Sequence, residues 1–379
     1  MSSDANHGLL GAELLGIRME TGSAGWGEGE IQNPRGAEFV PAVWRTTDGG
    51  KTWLDVAPTP VDSISHGNAG ATDAFVSSSV AWVAFNSDLR LVGKEPLAEI
   101  FRTTDGGKCW SATVLPKADV GYPLSLTAVN ATTAYLTLYT NPAKFPRSSG
   151  TLLVTHDGGA TWSQVASQPG GLPYPGTYTP AGGRRALLTF GALSGLQKIY
   201  GSADGGQGWQ ALQLAQPGCQ GYQLDGFHTP VMFGSNGYLP VMTQAMHLPG
   251  EPVGGGVYAT IDGGATWHWL SVPWCGPEIA SFDSATDGWV WGWSHWNSGK
   301  PVRGHLFHTT DGVKTGTTVS PGATLDQVCC RAGNGLSQLD FISATQGWAL
   351  ANTSSTSNAL LETEDGGRSW KVVWQDPAP

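Results

Sequence analysis

The acids, histidines and aromatics that could meet a substrate sit mostly outside the regular segments of this 379-residue chain. Glu251 and Glu278, with His66, His247 and His295, are the catalytic candidates; Arg35, Tyr122, Tyr222, Trp274, Trp296 and Arg303 are the binding candidates. An acid pair beside stacking aromatics could cleave or hold a glycan, since glycoside hydrolysis uses two carboxyls about 5 to 10 Å apart. A His or Tyr base next to a charge-neutralising Arg would instead suit a lyase reaction. No two of these residues stand at a fixed catalytic spacing, so solvated loop charge is the competing reading. Glu28 and Glu30 are read with Arg35 as members of one such loop.

A second set of acids is in strict register. Arg45-Thr46-Thr47-Asp48-Gly49-Gly50-Lys51-Thr52-Trp53 recurs around Asp105, Asp157, Asp204, Asp262 and Asp365, and in a worn form without the Trp around Asp311. The steps between these aspartates are 57, 52, 47, 58, 49 and 54 residues. The motif suits a tight hairpin. Its glycines take the positive φ of the turn, its Asp accepts turn amides, and the hydroxyl two residues earlier offers a local partner. These carboxylates are therefore read as turn architecture, and Trp53, Trp110, Trp162, Trp209, Trp267 and Trp370 as packing.

The elements that must hold these residues follow from the period. About fifty residues is one four-stranded blade of a propeller. An aromatic precedes most hairpins by 17 to 24 residues: Trp26, Trp82, Tyr135, Tyr238, Trp289 and Trp348. The fourth unit has Arg185-Ala186-Leu187-Leu188-Thr189-Phe190 there instead. One blade thus reads as strand A, a short turn, strand B opening on the aromatic, a variable loop, strand C, the Asp hairpin and strand D. The predicted fold is all-β: a single seven-bladed propeller of four-stranded antiparallel blades. The blades are placed at about 12–57, 70–115, 123–167, 171–214, 221–272, 277–320 and 335–376, with 1–11 left as an N-terminal segment that could add a closing strand. Trp289, Trp291 and Trp293 alternate along one strand, which places them on one side, in inter-blade packing. The B–C and D–A loops share one face, and that face carries the candidate residues.

These hairpins resemble the Asp-box, or bacterial neuraminidase repeat, from about residue 12 to 375. A seven-bladed chain with Gly-Trp strands and Thr-Thr-Asp-Gly-Gly-x-Thr-Trp turns is most similar to photosystem II stability/assembly factor-like proteins. That resemblance implies a non-catalytic assembly or binding scaffold presenting its loop face to a protein or glycan. The basic patch associated with that family has no counterpart in this acidic chain. Sialidases share the box but carry six blades and an arginine triad, and no Arg-Ile-Pro segment stands near the N-terminus. Xyloglucan-cleaving enzymes with the box pair two propellers, whereas this chain has room for one. A carbohydrate-active enzyme, hydrolase or lyase, working at the channel mouth is the alternative.

Composition narrows the partners. Lys plus Arg total 20 against 30 acids, a net charge of −10, which lacks the basic field that nucleic acid requires. No apolar run approaches the roughly 20 residues of a membrane-spanning helix. No cofactor or metal is expected, and the protein is expected to be monomeric. No signal peptide is visible; sparse Lys with abundant Trp, Ser, Thr and Gly favours an extracytoplasmic setting. Cys109 replaces a hairpin hydroxyl and is read as a free, half-buried thiol. Cys219, Cys275, Cys329 and Cys330 fall in D–A loops, where disulfides with three possible pairings, free thiols and a soft-metal site all stay open.

Overall fold

Each fifty-residue unit folds as its alternation of apolar strand and small-residue turn dictates, into an antiparallel meander of neighbouring strands. In the computed structural model seven such sheets form a ring, as the repeat predicts. The structure describes residues 12–32, 39–58, 71–86, 98–115, 122–140, 149–165, 176–190, 198–215, 222–245, 254–270, 277–293, 304–312, 314–325, 327–328, 335–354 and 357–375.

Blade one comprises β1 (Ala12–Met19), β2 (Gly25–Gln32), β3 (Phe39–Thr46) and β4 (Leu54–Asp55). Blade two is β5 (Ala71–Phe75), β6 (Ala81–Asn86), β7 (Ala98–Thr103) and β8 (Ser111–Val114). Blade three is β9 (Tyr122–Ala128), β10 (Ala134–Thr140), β11 (Ser149–Thr155) and β12 (Ser163–Gln164). Blade four is β13 (Thr177–Pro180), β14 (Ala186–Phe190), β15 (Lys198–Ser202) and β16 (Gln210–Ala211). Blade five holds β17 (Tyr222–Phe227), β18 (Val231–Phe233), β19 (Asn236–Ala245), β20 (Gly254–Thr260) and β21 (His268–Leu270). Blade six is β22 (Pro277–Phe282), β23 (Gly288–Trp293), β24 (Gly304–Thr309) and β25 (Thr317–Val319), followed by the four-residue α1 (Gly322–Leu325). Blade seven is β26 (Leu336–Phe341), β27 (Gly347–Ser354), β28 (Ser357–Thr363) and β29 (Lys371–Gln375). Blade five departs from four strands only because its strand A is broken: β17 and β18 pair with successive parts of β19, on either side of Pro230. Proline has no N–H to give to the ladder.

The strands of blade one correct one sequence expectation. Glu28 and Glu30 lie on β2, paired with Val43 and Pro41, and not in a loop. The Gly-Glu-Gly-Glu run reads as a loop by composition, yet its glycines admit neighbouring side chains. A Cβ at Gly27 would crowd Leu14 and Trp53, and one at Gly29 would crowd Trp44.

The core is distributed. Seven separate clusters of buried apolar side chains are present, one at each seam between adjacent blades. Period-two alternation makes this possible, because successive residues of one strand serve opposite seams. On β27, Trp348 joins the cluster toward blade one while Ala349 joins the cluster toward blade six. Trp289 and Trp291 share one cluster, on the side of blade seven.

A recurring clasp fastens the seams. The strand-B aromatic donates its polar hydrogen to a backbone carbonyl of the next blade: Trp26 to Ser77 (2.8 Å), Trp82 to Asn130 (3.2 Å), Tyr238 to Ala285 (2.7 Å), Trp289 to Gly366 (3.3 Å) and Trp348 to Gly49 (3.1 Å). The same rings stack on aromatics of the next strand A, Trp26 on Phe75, Tyr238 on Phe282 and Trp289 on Phe341. Blade four has Leu187 in place of the aromatic, and its side chain fits against Gly264 of blade five. The second glycine of the hairpin has the same duty elsewhere, since a Cβ at Gly50 would meet Leu360 of blade seven. No strand is exchanged between blades one and seven among the described residues. That seam closes through side chains: Ile17 N donates to Gln338 Oε1 and Gln338 Nε2 to Ile17 O, both at 2.8 Å, and Asn358 Nδ2 donates to Leu14 O at 2.7 Å.

Trp348→Phe keeps an aromatic in place but leaves the Gly49 carbonyl without its donor, a loss of about 1–3 kcal/mol. Trp348→Ala also opens a cavity and is expected to lose about 3–5 kcal/mol. Chemical denaturation checks both, and a Phe variant as stable as the parent would show the clasp to be ornamental.

Candidate functional site

Consecutive antiparallel strands put the A–B turns and Asp hairpins on one face of the ring and the B–C and D–A segments on the other. The hairpin face is the better described. In the first hairpin, Thr46 Oγ1 donates to Asp48 Oδ1 (2.9 Å) and accepts from Gly50 N (2.9 Å). Thr52 closes the loop, its amide donating to Asp48 Oδ1 (2.9 Å) and its hydroxyl to Oδ2 (2.7 Å). The pattern recurs at Asp157, Asp262 and Asp365, and without the second hydroxyl at Asp105 and Asp204. Around Asp311 the turn survives loss of the second glycine and the Trp: Thr309 Oγ1 binds Thr315 O (2.7 Å), and the Phe307 ring lies over Gly316. Both carboxylate oxygens are thus engaged locally at Asp48, Asp157, Asp262, Asp311 and Asp365, and Oδ1 at Asp105 and Asp204. At Asp157 the Thr161 hydroxyl, the Thr161 amide and the Thr155 hydroxyl hold the carboxyl down to about 2.

Three side chains of this face lie over the strand-B aromatic of their own blade, and two of them reach across a seam. Arg45 lies over Trp26 and donates to Ser78 O of blade two, and Arg102 lies over Trp82 and donates to Ala131 O of blade three. His308 occupies the equivalent place in blade six, stacked on Trp289 and bonded through Nε2 to Asp287 Oδ1 at 2.7 Å. Burial, then the charge of Asp287, raises the carboxyl of neighbouring Asp283. A groove of about 1020 Å³ runs between blades one and two; Leu54, Val56, Pro58, Phe101, Lys108 and Trp110 line it. Cys109, on its rim, is exposed rather than half-buried.

The other face is reached through strand A, whose free edge turns to the ring axis. In five blades this strand carries a bulge near its loop-side end, and the extra residue is Leu15, Leu124, Asp225, Glu278 or Ser337. Bulges re-aim a strand locally and are frequent beside functional sites. Glu278 therefore stands on β22 and not in a loop; Tyr122 and Tyr222 open β9 and β17 in the same way. These three candidates and Asp225 all stand in the loop-side half of strand A, but at different heights: Glu278 is nearest the strand-B aromatic of its blade and Tyr222 farthest from it. Periodicity did not single out Asp225, because a bulge is visible only in the pairing register. His66, His247, Glu251, His295, Arg35, Trp274, Trp296, Arg303, Cys219, Cys275, Cys329 and Cys330 lie outside the described residues.

Among the described residues no group of three or more His, Cys, Asp or Glu could hold a metal ion, and no helix is long and apolar enough to cross a membrane. No family model matches the chain, and no curated protein matches it. Solved structures do. YCF48 bound to D1 peptide superposes with a TM-score of 0.55 at 17% identity, covering 94% of this chain and 93% of that one. The likeness is one of fold. At that level it agrees with the resemblance to assembly-factor-like propellers. The GH74 xyloglucanase of Xanthomonas campestris gives 0.63 at 13% identity over 97% of this chain, which spans only 55% of that enzyme. The propeller domain of the Trilobed protease from Pyrococcus furiosus, described as an open velcro topology, gives 0.54 at 10% over 97% and 99%.

The depressed carboxyls have a pH signature. An acid whose folded pKa lies below its unfolded value stabilises above the latter and loses that contribution as pH falls through the former. For Asp157 the window runs from near 3.8 down to about 2. Asp157→Asn should be less stable than the parent at pH 5, with the gap narrowing toward pH 2. A gap in unfolding midpoint that stays constant would exclude this role.

Proposed function

We propose that this propeller is a non-catalytic binding scaffold, displaying its loop-bearing face and channel mouth to a protein or glycan partner outside the cytoplasm. The observation that carries this reading is the division of labour between faces. The acids described on the hairpin face are spent on turns and seams, whereas every B–C and D–A segment leaves from the opposite side of a frame clasped at its seams. Rigid scaffolds with loops on one side commonly bind through those loops. Protein is the favoured partner class, because the YCF48 structure of matching length is bound to a peptide. Leu15, 46% exposed at a bulge, adds an apolar contact near the mouth.

One observation favours a second reading, a carbohydrate-active hydrolase or lyase. Asp225 and Glu278 are each the extra residue of a strand-A bulge in adjoining blades, Asp225 two pairing positions nearer the loop end than Glu278. A pair of carboxyls is the minimum for glycoside hydrolysis.

Turnover on plant, algal and bacterial polysaccharides, followed by new reducing ends and by absorbance of unsaturated products, separates the two. The scaffold reading expects none. Turnover that falls at least 100-fold in Glu278→Gln or Asp225→Asn would overturn it and place the chemistry at the bulges. Binding to a peptide array, weakened by substitutions at Tyr122, Tyr222 or Leu15 with stability intact, is the positive result expected.

A further inference from the structure

Strand A is an inner edge, and its free backbone groups are met by side chains from the preceding blade. Most of these side chains are neutral. Thr72 Oγ1 accepts from Leu126 N (3.1 Å), Thr127 Oγ1 donates to Tyr178 O (2.7 Å), and Ser281 Oγ accepts from Phe341 N (2.9 Å). The seams on the two sides of blade one differ. Asp340 pairs with Trp348 just as Ser281 pairs with Trp289, so it holds the register position of that serine. Its Oδ2 accepts from Met19 N at 2.5 Å, and the residue is 5% exposed. On the other side Asp73 stands opposite Val83, the residue after the strand-B aromatic. The same position holds Ile17, Leu126, Tyr178, Ala280 and Leu339 in other blades. A carboxyl thus enters a slot that is otherwise mainly apolar, with the Glu28 carboxyl of blade one as its charged neighbour. Gly16 makes the approach possible, since a Cβ there would collide with the Glu28 carboxyl.

We propose that blade one is an acid-tightened segment of the ring, whose two seams close more firmly when Asp73 and Asp340 are protonated and loosen when they ionise. Two neighbouring carboxyls hold a proton between them, and removing it sets two like charges side by side. Burial and the neighbouring Glu28 carboxyl push Asp73 well above the usual carboxylate range. The strands around it carry Glu13, Arg18, Glu30, Arg45, Glu99 and Arg102. The arginines are directed elsewhere: Arg18 to Glu20 and Asp340, Arg45 and Arg102 to turn carbonyls. Burial raises Asp340 to about 6, against the nearby Arg18 charge and the Met19 amide and with the help of Glu20. Glu20 is in turn raised by burial and lowered by Arg18 and Arg45, and Glu362 of β28 accepts from Gln346. An acid raised on folding stabilises fully below its unfolded pKa, near 3.8, and that contribution is lost as pH rises through the folded value. For Asp340 this window is about pH 4 to 6.

Hydrogen–deuterium exchange on the intact chain tests the proposal, with segment 12–19 referred at each pH to segment 177–180, strand A of blade four, on the far side of the ring from both acids. The protection ratio should fall roughly tenfold or more between pH 4.5 and 7.5, since one pKa unit is a factor of ten. Asp340→Ser and Asp73→Leu, which install residues used at the equivalent positions of other blades, should together flatten that ratio and raise the melting temperature at pH 7.5. Asp340→Asn and Asp73→Asn serve the same purpose if the first pair fails to fold. A ratio independent of pH in the parent overturns the proposal, as does a folded double variant that tracks the parent.

Discussion

Everything in this molecule depends on how one blade meets the next. A four-stranded sheet of two to eight residues per strand has two faces to cover and no partner within its own fifty residues. The ring meets that demand with an apolar cluster at every seam, joined at most seams by an aromatic stack or a polar hydrogen delivered across it. Indole suits the purpose because it brings large apolar area and a single donor on one rigid ring. Tyrosine performs the same task at Tyr238 through a longer reach. Where the aromatic is absent, at Leu187, close packing against a glycine does the work alone.

The repeat made this frame legible. Hairpin chemistry is local, so Thr46, Asp48, Gly50 and Thr52 announce their bonds within seven residues of sequence. The strand-B aromatics were visible by phase, although their partners lie 47 to 299 residues away. Register was the opaque part. The bulges that carry Asp225 and Glu278, and the pairing that sets Asp73 in an apolar slot, depend on which residues of separate strands stand opposite. Composition misled at Glu28 and Glu30, where glycines serve as room for Trp44 and Trp53 rather than as loop formers.

The two acidic seams and the neutral ones also show how a repeat protein diversifies. The backbone frame is common to all blades, so a single substitution at an equivalent position changes the chemistry of one seam and leaves the others intact. Ser281 and Asp340 are such a pair: each receives an amide from the next strand A, yet only one responds to protons. Local identity is thereby written on a shared template.

Blade boundaries and repeat boundaries coincide among the described residues, since each sheet is assembled from consecutive strands and none of those strands is borrowed across the ring. That coincidence bears on ancestry. A gene encoding such a protein can gain or lose a complete blade through one contiguous duplication or deletion, with no strand stranded on the wrong side of the cut. Each newcomer arrives with its own hairpin and its own clasp, already matched to the edges on either side. Ring size in this architecture then has to be matched by the angle between neighbouring blades, since every added blade changes the curvature that the seams must accommodate.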